Sequence, residues 1–175
     1  MIWSPEVKAP FLQRMDLALR SAAPLALSLV ILLLGHVPFG LPGGISVTPF
    51  LPLICVFYWT VHRPDLMPAW SVFILGLLHD LISGGAFGVG TFVLIAAYGL
   101  VASQRRFLVS FSVPLLWLSF AVVALLAALV VWVLTMIIAG LLLSPAPLAY
   151  QYVLTVALYP LLAWIFARTQ RRVLR

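Results

Sequence analysis

A carboxylate within an otherwise apolar stretch is the first place to look for chemistry, and this sequence has one in Asp80, directly after His79. An ionisable group inside a bilayer costs roughly 2.5 to 3.5 kcal/mol on insertion scales, so it needs a partner or a task. On a helix, neighbouring residues diverge by about 100°, so His79 and Asp80 do not form a ready acid–base couple. Two readings of Asp80 remain open. Its carboxyl bonds backbone amides of the glycine-rich turn at Gly84 to Gly90, or a polar group on a neighbouring helix; alternatively it forms a site for a partner or ligand. Gly76, Asp80 and Gly84 recur at four-residue spacing and share one helical face.

The remaining reactive groups are scattered. Cys55 is the single cysteine and lies in an apolar segment, which leaves no intramolecular disulfide and no cysteine metal cluster. His36 has no second histidine, cysteine or carboxylate close by in sequence and reads as an interfacial histidine. The run Gly84-Gly85-Ala86-Phe87-Gly88-Val89-Gly90 lacks the Lys-Ser/Thr of a phosphate loop and follows a helix, so it reads as a tight turn. Hydrolytic or transfer chemistry needs several convergent polar groups, so the expectation is a protein that is not an enzyme, with no catalytic residue, metal or cofactor.

The elements that carry these residues are set by hydropathy. Of 175 residues, 65% are hydrophobic and 8% are charged, and the mean hydropathy is +1.20, against roughly a quarter charged in an ordinary soluble domain. A water-soluble globule is excluded. Ala22 to Gly35 and Phe111 to Leu143 hold no charge, and the second exceeds the roughly 20 residues that cross a bilayer. Basic residues fall in four clusters: Lys8, Arg14 and Arg20; Arg63; Arg105 and Arg106; Arg168, Arg171, Arg172 and Arg175. Pairs of spans between these clusters place every basic residue on one membrane face, as the positive-inside rule asks of the cytoplasmic side. The arginines at 105, 106 and the C-terminus then read as topology signals and contacts to anionic lipid, with no nucleic-acid role. The tail before the first span contains Glu6 and Asp16 and the apolar run is followed by no small-x-small site, which argues for retention over cleavage.

The expected architecture is an all-α membrane protein, a bundle of six transmembrane helices with both termini in the cytoplasm. Residues 1–21 form a cytoplasmic tail with a weakly amphipathic stretch over Ala9 to Arg20; residues 22–167 form one transmembrane domain; residues 168–175 form a basic tail. Spans are placed at about 22–37, 45–61, 66–83, 89–103, 112–142 and 148–167. Pro49 and Pro52 free carbonyls that need protein partners, so the outer half of the second span should be packed or distorted. Tyr58 and Trp59 read as interfacial aromatics and Asp65 as the N-cap of the third span, with Pro68 in its first turn. Gly99 and Ser103 suggest close packing of the fourth span against the third, Gln104 to Arg106 form a basic turn, and Ala121, Ala124, Ala128, Thr135 and Ala139 mark the packing stripe of the fifth span.

The stretch Tyr58-Trp59-Thr60-Val61-His62-Arg63-Pro64-Asp65, then Gly76-Leu77-Leu78-His79-Asp80-Leu81, then Gly84 and Gly88, closely resembles the MreD family of bacterial rod-shape-determining proteins. Length, the run of spans and the short basic tail are similar as well. The resemblance implies a non-enzymatic scaffold in the cytoplasmic membrane that serves rod shape and lateral peptidoglycan synthesis. It implies association with MreC and, through it, with MreB, RodA and the elongation-specific penicillin-binding transpeptidase. It also implies a fold like that of the substrate-binding subunits of energy-coupling-factor importers. Candidate partner or structural residues are then Asp80, Gly76, Gly84, Gly88, Arg63 and Pro64. A small-molecule-binding subunit of a vitamin-type transporter is the alternative, suggested by the helix count and by Ala18, Ala22 and Ala26 at four-residue spacing.

Overall fold

The computed structural model describes residues 25–35, 39–40 and 46–173. Among them are six helices: α1 (Leu25–Gly35), α2 (Leu51–His62), α3 (Ala69–Ser83), α4 (Val89–Leu108), α5 (Val113–Ala139) and α6 (Ala146–Val173). A two-residue antiparallel ladder precedes α2, with Phe39–Gly40 (β1) paired to Ser46–Val47 (β2). The expectations for the amphipathic stretch 9–20, for His36, for Ala18 and Ala22, and for the side chains of Arg171, Arg172 and Arg175 lie outside the described residues.

Two helices, α5 and α6, are long and apolar enough to cross a membrane. In each, only 11% of the most apolar window is buried inside the protein. A soluble protein's core helix would be covered and a signal sequence would sit at the N-terminus; these helices are neither. Their bare apolar faces, with Ile137 of α5 71% exposed and Val153 of α6 62% exposed, suit hydrocarbon. α2 is the opposite case. Every residue from Leu51 to Val61 is buried, and the helix is surrounded by α3, α4 and α6. Its aromatic side chains knit the bundle: Phe57 meets Phe120 of α5 edge-on at 5.2 Å and Tyr159 of α6 at 5.7 Å, and those two rings stack at 4.4 Å. Such pairs contribute beyond the area they bury.

The structure corrects several sequence expectations. α2 begins at Leu51, because Pro52 is tolerated only in a first helical turn and the chain ahead of it is committed to the ladder. Tyr58 and Trp59 are not interfacial: they are 3% and 1% exposed and pack on Phe166 of α6. Asp65 is not a helix cap. Pro64–Leu66 forms a single 3₁₀ turn and α3 starts after Pro68, since a proline disfavours helical backbone in the residue before it. Gln104 to Arg106 lie within α4, where cations in the last turn suit the helix dipole. α5 stops at Gly140, which takes a left-handed φ of 64°. Its buried stripe is Phe120, Val123, Ala124 and Ala127, so Ala124 was placed correctly whereas Ala139 is exposed. On α4, Gly99 and Ser103 are exposed too; the inward face is Thr91, Leu94, Ala97 and Val101, and Gly99 lies off that stripe. The C-terminal arginines continue α6 as far as Val173.

A proline inside an apolar helix leaves a carbonyl without a backbone donor, and here that gap is closed from a neighbouring helix. Pro160 lies inside α6, four residues after Val156, whose carbonyl would have met its missing N–H. The indole Nε1–H of Trp117 on α5 donates to that carbonyl at 3.0 Å. At the entry to α2, where Pro52 sits in the first turn, the Thr48 carbonyl accepts from Nε2 of Gln151 at 3.0 Å. Next to it, the Phe50 amide donates to Oγ1 of Thr155 at 2.9 Å, and that hydroxyl donates to the Gln151 carbonyl at 2.6 Å.

This arrangement makes a coupled prediction. Trp117→Phe should lower stability in detergent by about 0.6 kcal/mol, a typical membrane hydrogen bond, when Pro160 is present. In a Pro160→Ala background, which restores the backbone donor, the same change should cost markedly less. A double-mutant cycle by denaturant unfolding in mixed micelles reads the coupling, and equal losses in both backgrounds would contradict it.

Candidate functional site

Asp80 sits three residues before the end of α3 and is 5% exposed. Gly84 ends that helix with φ 64°, and Gly88 opens α4 with φ 89°. These two left-handed residues fold the short link back so that the start of α4 faces the last turn of α3. Oδ2 of Asp80 then accepts three hydrogen bonds: from the Gly88 amide at 3.0 Å, the Thr91 amide at 2.9 Å and the Thr91 hydroxyl at 2.8 Å.

The physical meaning of this set lies in the helix start it serves. The first amides of a helix have no partner within it, and a side chain at the N-cap normally accepts one of them. In α4 the N-cap is Gly88, which has no side chain to offer. The carboxylate of the preceding helix takes over that role, and its negative charge lies where the α4 dipole is positive. The bonds to Gly88 and Thr91 unite the two contacts that the sequence offers for Asp80, a turn amide and a polar group on the next helix.

Glycines make the approach possible. A Cβ on Gly76 would lie 2.7 Å from the Thr91 Cα, so α3 and α4 touch backbone to backbone there. A Cβ on Gly90 would run into Oδ1 of Asp80. At Gly84 and Gly88 a Cβ would meet nothing, so those two are needed for their backbone conformation alone. The face Gly76, Asp80, Gly84 is therefore turned mostly onto α4, with Gly84 as its cap.

Beside the carboxylate is a cleft of about 200 Å³ lined by residues of α3, α4, α5, α6 and the segment before α2, among them Thr48, His79, Asp80, Ala86, Thr135 and Gln151. His79 is 9% exposed and its ring lies 4.9 Å from that of Phe50. Thr91's partnership with Asp80 and the convergence of Gln151 and Thr135 on the cleft escape sequence reading, because they depend on which helices meet. Among the described residues no group of three histidine, cysteine or acidic side chains could hold a metal ion.

Arg63 and Pro64 are not part of this cluster. Arg63 caps the end of α2, where its amide donates to the Trp59 carbonyl at 2.8 Å, and Pro64 opens the 3₁₀ turn that follows. Arg105 reaches from the end of α4 to the Val61 carbonyl at the end of α2, Nε to O 3.3 Å, while Arg106 is exposed. Arg168 on α6 lies 5.6 Å over the Trp164 ring, two residues from Phe166, which packs on Trp59. The ends of α2, α4 and α6 thus meet, and basic residues from separate sequence clusters gather at the end of the bundle away from Asp80.

A helical bundle with two bare apolar helices long enough to cross a membrane defines a membrane protein. A family model described as rod shape-determining protein MreD matches residues 15–169, and the chain belongs to that family, whose members act in determining cell shape. No curated protein and no solved structure matches the chain.

Two substitutions test the α3–α4 contact. Gly76→Ala should cost about 1 to 3 kcal/mol by forcing the two backbones apart, whereas Gly99→Ala, whose added methyl meets open space, should be neutral. Thermal denaturation midpoints in detergent check the pair; equal midpoints would mean that the close approach contributes nothing.

Proposed function

We propose that this protein is a non-enzymatic scaffold of the cell-elongation complex in the bacterial cytoplasmic membrane. It crosses the bilayer six times with both termini in the cytoplasm and a fold like that of energy-coupling-factor substrate-binding subunits. The observation that carries the reading is the family match over residues 15–169. Two structural features agree with it. Asp80, the acid of the apolar region, is engaged in joining α3 to α4, and the long faces of α5 and α6 remain open for lateral contacts in the membrane. The gathering of Arg63, Arg105 and Arg168 at one end supports a cytoplasmic face there, with Arg105, Arg106 and the C-terminal arginines against anionic lipid.

In this role the protein associates with MreC and through it with MreB, RodA and the elongation transpeptidase. Asp80, Gly76, Gly84 and Gly88 maintain the surface offered to partners, and Arg63 with Pro64 shapes the cytoplasmic turn. The cleft beside Asp80 favours the second reading, a small-molecule-binding subunit of a vitamin-type transporter, since a carrier needs a polar pocket.

Pull-down of the tagged protein from mild-detergent membranes separates the two. The scaffold reading expects an MreC-like protein and cell-wall synthases, with recovery reduced in an Asp80→Ala variant of equal expression. Recovery of ATP-binding-cassette subunits, or of a stoichiometric small molecule with no cell-wall protein, would replace it with the carrier.

A further inference from the structure

The cleft beside Asp80 is lined by Thr48, His79 and Ser83 and by three further side chains that offer it acceptors. Gln151 uses its amide nitrogen on the Thr48 carbonyl, which leaves Oε1 as an acceptor. Thr135 donates its hydroxyl proton to the Val131 carbonyl at 2.7 Å, which leaves its oxygen lone pairs. Asp80 receives all three of its bonds on Oδ2, and no donor among the described residues reaches Oδ1. The absence of a side chain at Gly90 makes room for Oδ1 itself against the α4 backbone. Three acceptors, one of them a carboxylate oxygen on a residue 5% exposed, therefore border one cavity.

We propose that this cleft binds a cation rich in N–H donors, a guanidinium or a primary ammonium, with Oδ1 of Asp80 as counter-charge and Thr135 and Gln151 as neutral acceptors. A volume of about 200 Å³ holds about six waters' worth of liquid, enough for such a head group and its last methylenes. A carboxylate paired with a guanidinium or ammonium forms the stronger, charge-assisted class of hydrogen bond. An anion would meet the acceptors head-on, and an apolar group would leave them unpaired. The cleft lies at the end of the bundle opposite the arginines, so the cation enters from the outer face. The inference adds a ligand class to the scaffold reading and rests on that reading only for the source of the cation: a lysine or arginine side chain of a partner protein, or a free amine.

The test uses the full chain in lipid nanodiscs with ¹³C-methyl alanine, the Ala86 signal at the cleft being assigned from an Ala86→Gly sample. Methylguanidinium should shift that signal saturably and methylurea, its uncharged counterpart, should not. Asp80→Asn, which retains an oxygen for the Thr91 and Gly88 donors, should weaken binding at least tenfold, and Thr135→Val should weaken it by a smaller factor. A photo-crosslinker at position 86 in cells then identifies the source. A crosslinked protein whose yield falls in Asp80→Asn assigns a basic side chain of a partner; saturable binding in nanodiscs with no crosslinked protein assigns a free amine. No saturable shift in the unaltered protein, an equal response to methylurea, or undiminished binding by Asp80→Asn would each overturn the proposal. Should Asp80→Asn fail to fold, the methylurea comparison and Thr135→Val still decide. Loss of MreC from the pull-down alone would count against the scaffold reading and leave the binding result standing.

Discussion

Inside hydrocarbon no water is at hand to pair with a stray N–H or C=O, so each polar group must find its partner within the protein. That constraint accounts for most of the specific contacts in this bundle. Pro160 orphans the Val156 carbonyl, which meets the Trp117 N–H of α5, and the Thr48 carbonyl ahead of α2 meets the Gln151 N–H of α6. The start of α4 lacks a capping side chain of its own, and Asp80 provides the acceptor from α3. These bonds run between helices, so satisfying the backbone also fixes which helices are neighbours.

Packing follows the same links. Where Asp80 reaches Thr91, glycines at 76 and 90 let the two helices close to backbone contact. Where Gln151 and Thr155 hold the entry to α2, the residues that follow are buried along the whole helix, and its aromatic rings meet those of α5 and α6. α2 has 12 residues, about 18 Å of helix, less than the ~30 Å of hydrocarbon. Its short length is tolerable because protein, not lipid, surrounds it. α5 has 27 residues and presents its apolar side chains outward.

The polar interior is thereby divided in two. One end collects Arg63, Arg105 and Arg168 around the ends of α2, α4 and α6. The other holds Asp80, His79, Gln151 and Thr135 around a small cleft. The two ends thus differ in chemistry as well as in place, one basic and the other lined by acceptors.

Sequence alone determined what depends on local or one-dimensional properties. Apolar runs announced membrane helices and the glycine run from Gly84 announced a turn, because hydropathy and positive-φ tolerance act residue by residue. The motif around Arg63, Pro64 and Asp80 was sufficient for the family. The interfacial reading of Tyr58 and Trp59 and the capping role given to Asp65 failed because they judged residues by chain position, when burial against α6 and the backbone limits before Pro68 decided them. That Asp80 caps α4, that Trp117 covers the carbonyl freed by Pro160, and that Gln151 and Thr135 share a cleft with Asp80 were decided only in three dimensions. Those pairs are 11, 39 and up to 71 positions apart in sequence, and no periodicity relates residues on different helices. Only the packing of the bundle brings them within hydrogen-bond reach or into one cavity.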